Sequence, residues 1–213
     1  MPTLEDYYRK LSLHFGPQRW WPGETPFEVM VGAVLAQNTA WRNAERAIQN
    51  LKTFRLLDPH KIHELDEETL QEAIRPAGFF RQKAKRIKAA VAWLVERFGG
   101  SMEAAARENA GTLRTELLEI KGIGPETADS ILLYALGKPA FVIDTYTYRV
   151  LTRHHWVGEE TTYEEMQELM QSKLPRDAKL YNEYHALMVA VGKEFCRTQA
   201  RCDRCPLKPY LPG

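Results

Sequence analysis

Apolar residues recur at helical spacing along most of this chain, and glycine or proline interrupts them between segments. The stretch PFEVMVGAVLAQNTAWRNAERAIQNLK, which begins at Pro26, places apolar side chains three or four positions apart, as one face of an α-helix requires. The segments 66–75, 82–99 and 101–120 follow the same pattern. Only 140–144, AFVID, has the composition of a strand, and it is too short to found a sheet. The sequence therefore predicts an all-α protein.

Length and composition limit the number of domains and the class of protein. With 213 residues, the chain can form one domain or two small ones, and 44% hydrophobic with 27% charged residues is an ordinary globular composition. The apolar runs are too short to cross a bilayer and the N-terminus does not resemble a signal peptide, so we expect a cytoplasmic location without a membrane partner.

Net charge does not indicate nucleic acid, because the formal value is only +1. Cations are nevertheless clustered in two places, the segment 81–88 and the C-terminal segment 197–208. Each cluster alone favours the alternative that these cations lie on solvated helix faces.

Residues 121–124, Lys-Gly-Ile-Gly, separate two segments with helical periodicity. Glycine permits positive φ and close approach of another backbone. The helix that follows would direct free N–H groups at that approach, which suits a phosphate oxygen. The pattern predicts a helix-hairpin-helix clamp on a DNA backbone. A tight helix–helix turn with a glycine cap is the alternative that this motif alone leaves open.

A lone aspartate, Asp144, follows the apolar run 140–143 and precedes a helical pattern. In that position a carboxylate is often only a helix N-cap. Hairpin, helix, short extended segment and aspartate form a more specific combination, and it resembles the endonuclease III-like DNA glycosylase superfamily. Further similarity lies in VLAQNT (34–39), AGFFRQKAKRI (77–87) and GKEFC (192–196), so that the resemblance covers nearly the whole chain.

This resemblance implies an all-α fold of two domains with a central cleft. Residues 26–137 would form a helical barrel containing the hairpin at about 113–136. Residues 1–25 and 138–213 would form the second domain. The expected partner is double-stranded DNA with a flipped damaged base, bound by a monomer.

The resemblance also implies roles for single residues. Asp144 would be catalytic, because a carboxylate stabilises the cation-like sugar and activates water. Gln37 would fill the space of the extruded base, and Phe79 would enter the stack as a wedge. The alternatives are a helix-capping role for Gln37 and a core position for Phe79. The implied DNA-contacting residues are Gln37, Phe79, Lys121, Gly122, Ile123, Gly124 and Thr127.

One departure from the family pattern bears on the reaction. Members that also cut the strand have a lysine two residues after the second hairpin glycine, where it forms a Schiff base with the sugar. Here that position is Glu126. A carboxylate cannot form the imine, so we expect base release without strand cleavage. A relocated lysine, from among Lys121, Lys138 and Lys193, is the alternative.

Other segments resemble the bacterial 3-methyladenine DNA glycosylase III subgroup, among them WWPGETPFEV (20–29) and GIGPETADSILLYA (122–135). An alkylated purine is cationic, and electron-rich aromatic faces select it. The alternative is that the tryptophans are core residues. The base pocket that the resemblance implies consists of Trp20, Trp21, Pro22, Trp41, Glu126 and Lys193.

Three cysteines, Cys196, Cys202 and Cys205, have the spacing C-x5-C-x2-C. The resemblance implies a 4Fe–4S cluster held by four cysteines, but Leu211 occupies the fourth position and the first gap is one residue short. Either a cluster with a different fourth ligand or a decayed site is compatible with this pattern. The histidines, including His154, His155 and His185, show no metal-binding spacing and are expected to be structural.

Two rival functions remain on the sequence alone. One is a bifunctional endonuclease III-like glycosylase and lyase acting on oxidised pyrimidines. The other is a non-catalytic DNA-binding protein that keeps the hairpin as a clamp. The presence of Asp144 disfavours the latter, because a clamp needs no such carboxylate.

Overall fold

The computed structural model describes residues 2–212, which form helices, turns and irregular segments without a strand. The all-α prediction is thus confirmed. No helix in this range combines the length and the apolar composition that crossing a membrane requires. The α-helices are α1 (Leu4–Phe15), α2 (Pro26–Leu35), α3 (Trp41–Thr53), α4 (Pro59–Glu64), α5 (Glu67–Ile74), α6 (Phe80–Phe98), α7 (Met102–Ala105), α8 (Ala110–Glu119), α9 (Pro125–Ser130), α10 (Thr145–Arg153), α11 (Tyr163–Lys173) and α12 (Ala178–Glu194).

The chain divides into two compact units. Trp21–Lys138 forms one, called here the hairpin unit; Met1–Trp20 and Pro139–Gly213, in their described parts, form the other, called the carboxylate unit.

In the hairpin unit, α2 is the central helix. Its residues from Phe27 to Leu35 are all buried, as its almost uninterrupted apolar composition requires. Around α2 pack α3, α6, α9 and the π-helical turn Ile131–Ala135 that continues α9.

In the carboxylate unit, α12 packs against α1 and α10. Tyr181 and Tyr184 of α12 are fully buried, and the Tyr184 hydroxyl donates to the Leu4 carbonyl over 2.8 Å. That hydrogen bond satisfies the polar end of a large buried ring, which a buried tyrosine needs.

The observed elements differ in three places from those that the sequence pattern predicts. The stretch from Pro26 breaks at 36–40, between α2 and α3, and 101–120 breaks where the Asn109 side chain caps α8 by accepting from Gly111 N and Thr112 N. The segment 140–144 is an irregular, mostly buried connection and not a strand.

Candidate active site and DNA-contacting surface

The hairpin forms between α8 and α9. Gly122 has φ +91°, which favours glycine, whereas Gly124 has φ −93°, which any residue adopts. The expectation of positive φ is therefore right for Gly122 and wrong for Gly124. A Cβ at Gly124 would meet no described atom within 4 Å, and no described side chain caps α9 there. Gly124 consequently presents open backbone at a helix N-terminus, as contact with a phosphate requires.

Two other hairpin residues point inward. Ile123 and Thr127 have relative exposures of 4% and 8%. Their side chains hold the turn against the protein, so any contact they make with DNA would use backbone atoms. Lys121, by contrast, is exposed.

Gln37 is fixed by three hydrogen bonds to distant segments of the hairpin unit. Its Nε2 donates to the Gly122 carbonyl over 3.1 Å and to Thr127 Oγ1 over 2.8 Å. Its Oε1 accepts from Arg86 Nη1 over 2.5 Å. The Gln37 side chain therefore links α6 and the hairpin.

Lys83 belongs to the cationic cluster 81–88 but is buried, with a relative exposure of 1%. Its Nζ donates to the carbonyls of Leu35, over 2.9 Å, and Ala77, over 2.7 Å. Burial lowers the pKa of this amine to about 8, and the charge of Arg86 adds to the shift. The interpretation of the whole cluster as a solvated face is thus wrong for Lys83, which joins the last residue of α2 to the last residue of the 3₁₀ turn Arg75–Ala77.

Phe79 is 65% exposed, so the alternative of a core position is wrong. Its φ is +45°, a left-handed conformation that is uncommon for a bulky residue and that costs roughly 1–3 kcal/mol. An exposed aromatic ring held in a strained backbone is suited to contact with a ligand. The next ring, Phe80, has Arg75 and Arg81 within 5.6 and 5.9 Å of its centroid.

In the carboxylate unit, Asp144 caps α10. Its Oδ1 accepts from Thr147 N over 2.7 Å, as the N-cap alternative requires. Its Oδ2 lies 3.7 Å from His185 Nε2, and the Asp144 side chain keeps an exposure of 13%. Burial lowers the pKa of His185 while Asp144 raises it, with a net lowering.

The predicted pocket aromatics fall into two groups. Trp21 contacts Trp41 edge-on at 4.9 Å between ring centroids and Tyr134 at 5.1 Å, all in the hairpin unit. Trp20 belongs to the carboxylate unit. All three tryptophans are partly exposed, so none is a fully buried core residue.

Lys193 places its Nζ 5.8 Å from the Trp20 ring centroid and 5.9 Å from that of Tyr146, within the range of a cation–π contact. Tyr146 also packs on Gly192, where a Cβ would lie 2.5 Å from its ring. Glycine at 192 is thus required for this ring to approach.

Glu126 occupies the position of the family lysine. Glu126 lies exposed in the first turn of α9. Pro22, which the sequence predicts in the base pocket, is also exposed. Lys138 Nζ is occupied by the Glu108 carbonyl at 2.7 Å.

The three cysteines line one cavity of about 20 Å³, and Leu211 lines it as well. This volume holds roughly one water molecule. Burial raises the pKa of the Cys205 thiol, and the described residues contain no group of three or more His, Cys, Asp or Glu side chains arranged to hold a metal ion. The three thiols and the apolar Leu211 side chain thus lie around one cavity.

Sequence reasoning missed four residues at these sites: Lys83, Arg86, Tyr146 and His185. His185 was expected to be merely structural, and its position seven residues before Gly192 gives no local signal of Asp144. Tyr146 had a usable signal, since it lies two residues after the candidate catalytic aspartate.

Comparison with known proteins identifies the family. Residues 31–176 match the model of a family described as "HhH-GPD superfamily base excision DNA repair protein". A Methanocaldococcus jannaschii protein named "Putative DNA repair glycosylase MJ1434" is 50% identical over 204 residues, covering 95% of this chain and 93% of that protein. Endonuclease III of Thermotoga maritima is 34% identical over 187 residues, covering 87% and 82%.

Among solved structures, the H. pylori 3-methyladenine DNA glycosylase (MagIII) bound to 1,N6-ethenoadenine is similar with a TM-score of 0.79 and 29% identity. The match covers 91% of this chain and 98% of that chain. The predicted resemblance to the endonuclease III-like superfamily is confirmed. This chain belongs to the HhH-GPD superfamily of base excision DNA repair proteins, and it is a DNA glycosylase of that family.

Proposed function

We propose that this glycosylase is monofunctional and hydrolyses the N-glycosidic bond of alkylated bases of the 3-methyladenine type in double-stranded DNA. The observation that carries the proposal is Glu126, exposed in the first turn of α9 where a lyase has its lysine. A carboxylate cannot form an imine with the sugar, so water is the nucleophile that remains.

Asp144 supplies what a water-dependent reaction needs. Its Oδ1 accepts from Thr147 N, and its Oδ2 lies 3.7 Å from His185 Nε2, so the carboxylate is held in a fixed orientation. As the base leaves with the bonding electrons, the deoxyribose becomes cation-like. Asp144 stabilises that charge and accepts a proton from the water whose oxygen bonds to C1′.

The aromatic contacts support an alkylated base as the substrate. A methylated purine is cationic and stacks well on electron-rich rings. The faces of Trp20 and Tyr146 already have a cation, Lys193, within 6 Å. Trp21 and Trp41 supply two further electron-rich rings in the hairpin unit. The H. pylori relative named a 3-methyladenine DNA glycosylase lends further support.

The experiment is a base-release assay on DNA methylated with dimethyl sulfate, with parallel duplexes carrying uracil or an oxidised pyrimidine. Released bases are measured by chromatography, and strand breaks by denaturing gels with and without alkali. The proposal predicts release of 3-methyladenine and breaks that appear only after alkali. Release of oxidised pyrimidines with alkali-independent breaks would establish the bifunctional enzyme instead. Preferential release of uracil would refute the substrate class but not the monofunctional reaction.

A further inference from the structure

Arg86 lies where three segments of the hairpin unit meet. From α6 its Nη1 donates to Gln37 Oε1 over 2.5 Å. Its side chain also lies on the hairpin turn, since a Cβ at Gly122 would be 2.6 Å from Arg86 Nε and 2.8 Å from Arg86 Cγ. Glycine at 122 therefore serves two needs, the positive φ of the turn and the passage of the arginine stem.

Arg86 also determines which way the Gln37 amide points. A guanidinium can only donate, so it must face the amide oxygen. The Nε2 end then has to face the Gly122 carbonyl and Thr127 Oγ1, and it donates to both. If the amide were reversed, its NH₂ group would face the Arg86 guanidinium, donor against donor. Its oxygen would then face the Gly122 carbonyl, acceptor against acceptor.

Arg86 acts together with Lys83, one helical turn earlier on α6. Lys83 fixes the backbone just before Gln37 through the Leu35 carbonyl, and Arg86 fixes the Gln37 side chain. Positions three apart share a helix face, so both cations reach the same loop.

We propose that Arg86 is a positioning residue for Gln37: it holds the amide at the hairpin and thereby sets how well the enzyme distinguishes a duplex with a missing base from an intact duplex. The inference rests on the proposed role of Gln37 in filling the vacated space. It requires no direct contact of Arg86 with a base.

The test is a double-mutant cycle of Gln37→Ala, Arg86→Met and the combined variant against the wild type. Fluorescence anisotropy measures Kd for a duplex with a tetrahydrofuran abasic analogue and for the same duplex intact. The measured quantity is the ratio of the two constants. Each single variant should lower this discrimination by roughly tenfold, as expected for a hydrogen bond to a charged group. In the Gln37→Ala background, Arg86→Met should have no further effect.

Lys85→Met is the matched control, because it removes an exposed cation from the neighbouring position of α6. It should weaken binding to both duplexes equally and leave the discrimination unchanged. Arg86→Lys keeps the charge and one donor and should restore part of the discrimination. If Arg86→Met lowers the melting temperature enough to complicate binding, the Arg86→Lys cycle with Gln37→Ala answers the same question.

Three results would overturn the proposal. Equal weakening on both duplexes by Arg86→Met would make Arg86 an ordinary phosphate contact. Additive losses in the double variant would mean that Arg86 does not act through Gln37. If Gln37→Ala itself leaves discrimination unchanged, the gap-filling role fails and this inference fails with it. None of these outcomes depends on base release, so they are separable from a failure of the proposed reaction.

Discussion

The two units hold their candidate residues in different ways. In the hairpin unit, Gln37 is bound to partners 49, 85 and 90 positions away along the chain. In the carboxylate unit, Asp144 is held first by an amide only three residues further on. The orientation of Gln37 in the candidate DNA-contacting surface is thus a product of tertiary packing, whereas the orientation of the Asp144 carboxylate is largely local.

This difference separates the expected consequences of substitution. Changes in the hairpin network should alter stability and discrimination between DNA sites. Changes at Asp144 should alter the rate of base release while fold and affinity persist.

The largest expected effect is on rate, from Asp144→Asn. Asparagine still accepts from Thr147 N and caps α10, but it offers neither a negative charge nor a base. Single-turnover base release should fall by about 10²–10⁴-fold, with melting temperature and DNA affinity close to those of the wild type.

Asp66→Asn is the matched control for that measurement. Asp66 caps α5 in the hairpin unit with the same geometry, accepting from Thr69 N over 2.8 Å. It should leave the rate unchanged. If Asp144→Asn also releases base at close to the wild-type rate, the aspartate is only a cap.

The next effect is on stability, from Lys83→Met in the hairpin unit. This substitution keeps most of the volume but leaves the buried Leu35 and Ala77 carbonyls without their donor. Loss of about 1–3 kcal/mol in the free energy of unfolding is expected from urea titrations. If Lys83→Met lowers the free energy of unfolding no more than Lys85→Met does, Lys83 does not stabilise the fold through these two hydrogen bonds.

Lys83 also predicts a pH dependence with a definite sign. The folded pKa is lowered to about 8 from an ordinary value of 10.5, so between these values the unfolded chain binds more protons than the folded one. Wild-type stability should therefore gain from this group as pH rises through that window. The deficit of Lys83→Met should be larger at pH 10 than at pH 7; a constant deficit would contradict the shift.

The two hairpin glycines should respond differently to alanine. Gly122→Ala places a Cβ against Arg86 and strains a residue with φ +91°, so a loss of more than about 1 kcal/mol is expected. Gly124→Ala meets open space at an ordinary φ and should leave stability almost unchanged. Its effect should instead be weaker DNA binding, measured by anisotropy. Equal losses of stability would contradict the assigned geometry.

The smallest expected effect is a gain in stability. Phe79→Gly removes an exposed ring from a left-handed backbone that glycine adopts freely, so the melting temperature should stay constant or rise by the equivalent of about 1 kcal/mol. Binding to damaged duplex should weaken at the same time. A marked loss of stability would show that the ring packs after all.

Much of the fold followed from local rules. The apolar spacing and the glycine stops predicted most helices, including α6. The residue that caps the C-terminus of α6, Gly99, has the left-handed conformation. Short breaks were not predictable from apolar spacing, because the capping side chain of Asn109 decides where α8 begins.

The candidate sites likewise contain some residues that the local sequence predicts and others that it does not. Asp144 and the hairpin were predicted because they form a fixed pattern along the chain. Lys83 and Arg86 looked like two members of a solvated cationic run, and their partners lie too far away in sequence to be read from it. His185 could not be linked to Asp144 because 41 positions separate them and only folding brings them to 3.7 Å.

The central claim is that this enzyme releases a base through water activated at Asp144 and forms no imine with the sugar. Borohydride trapping tests it most directly, with the wild type and Glu126→Lys incubated on the duplex whose base the wild type releases. We predict base release without a covalent enzyme–DNA adduct for the wild type, and an adduct for Glu126→Lys, which restores an amine to the position where a lyase has one. An adduct formed by the wild type in a yield comparable to the base it releases would contradict the claim.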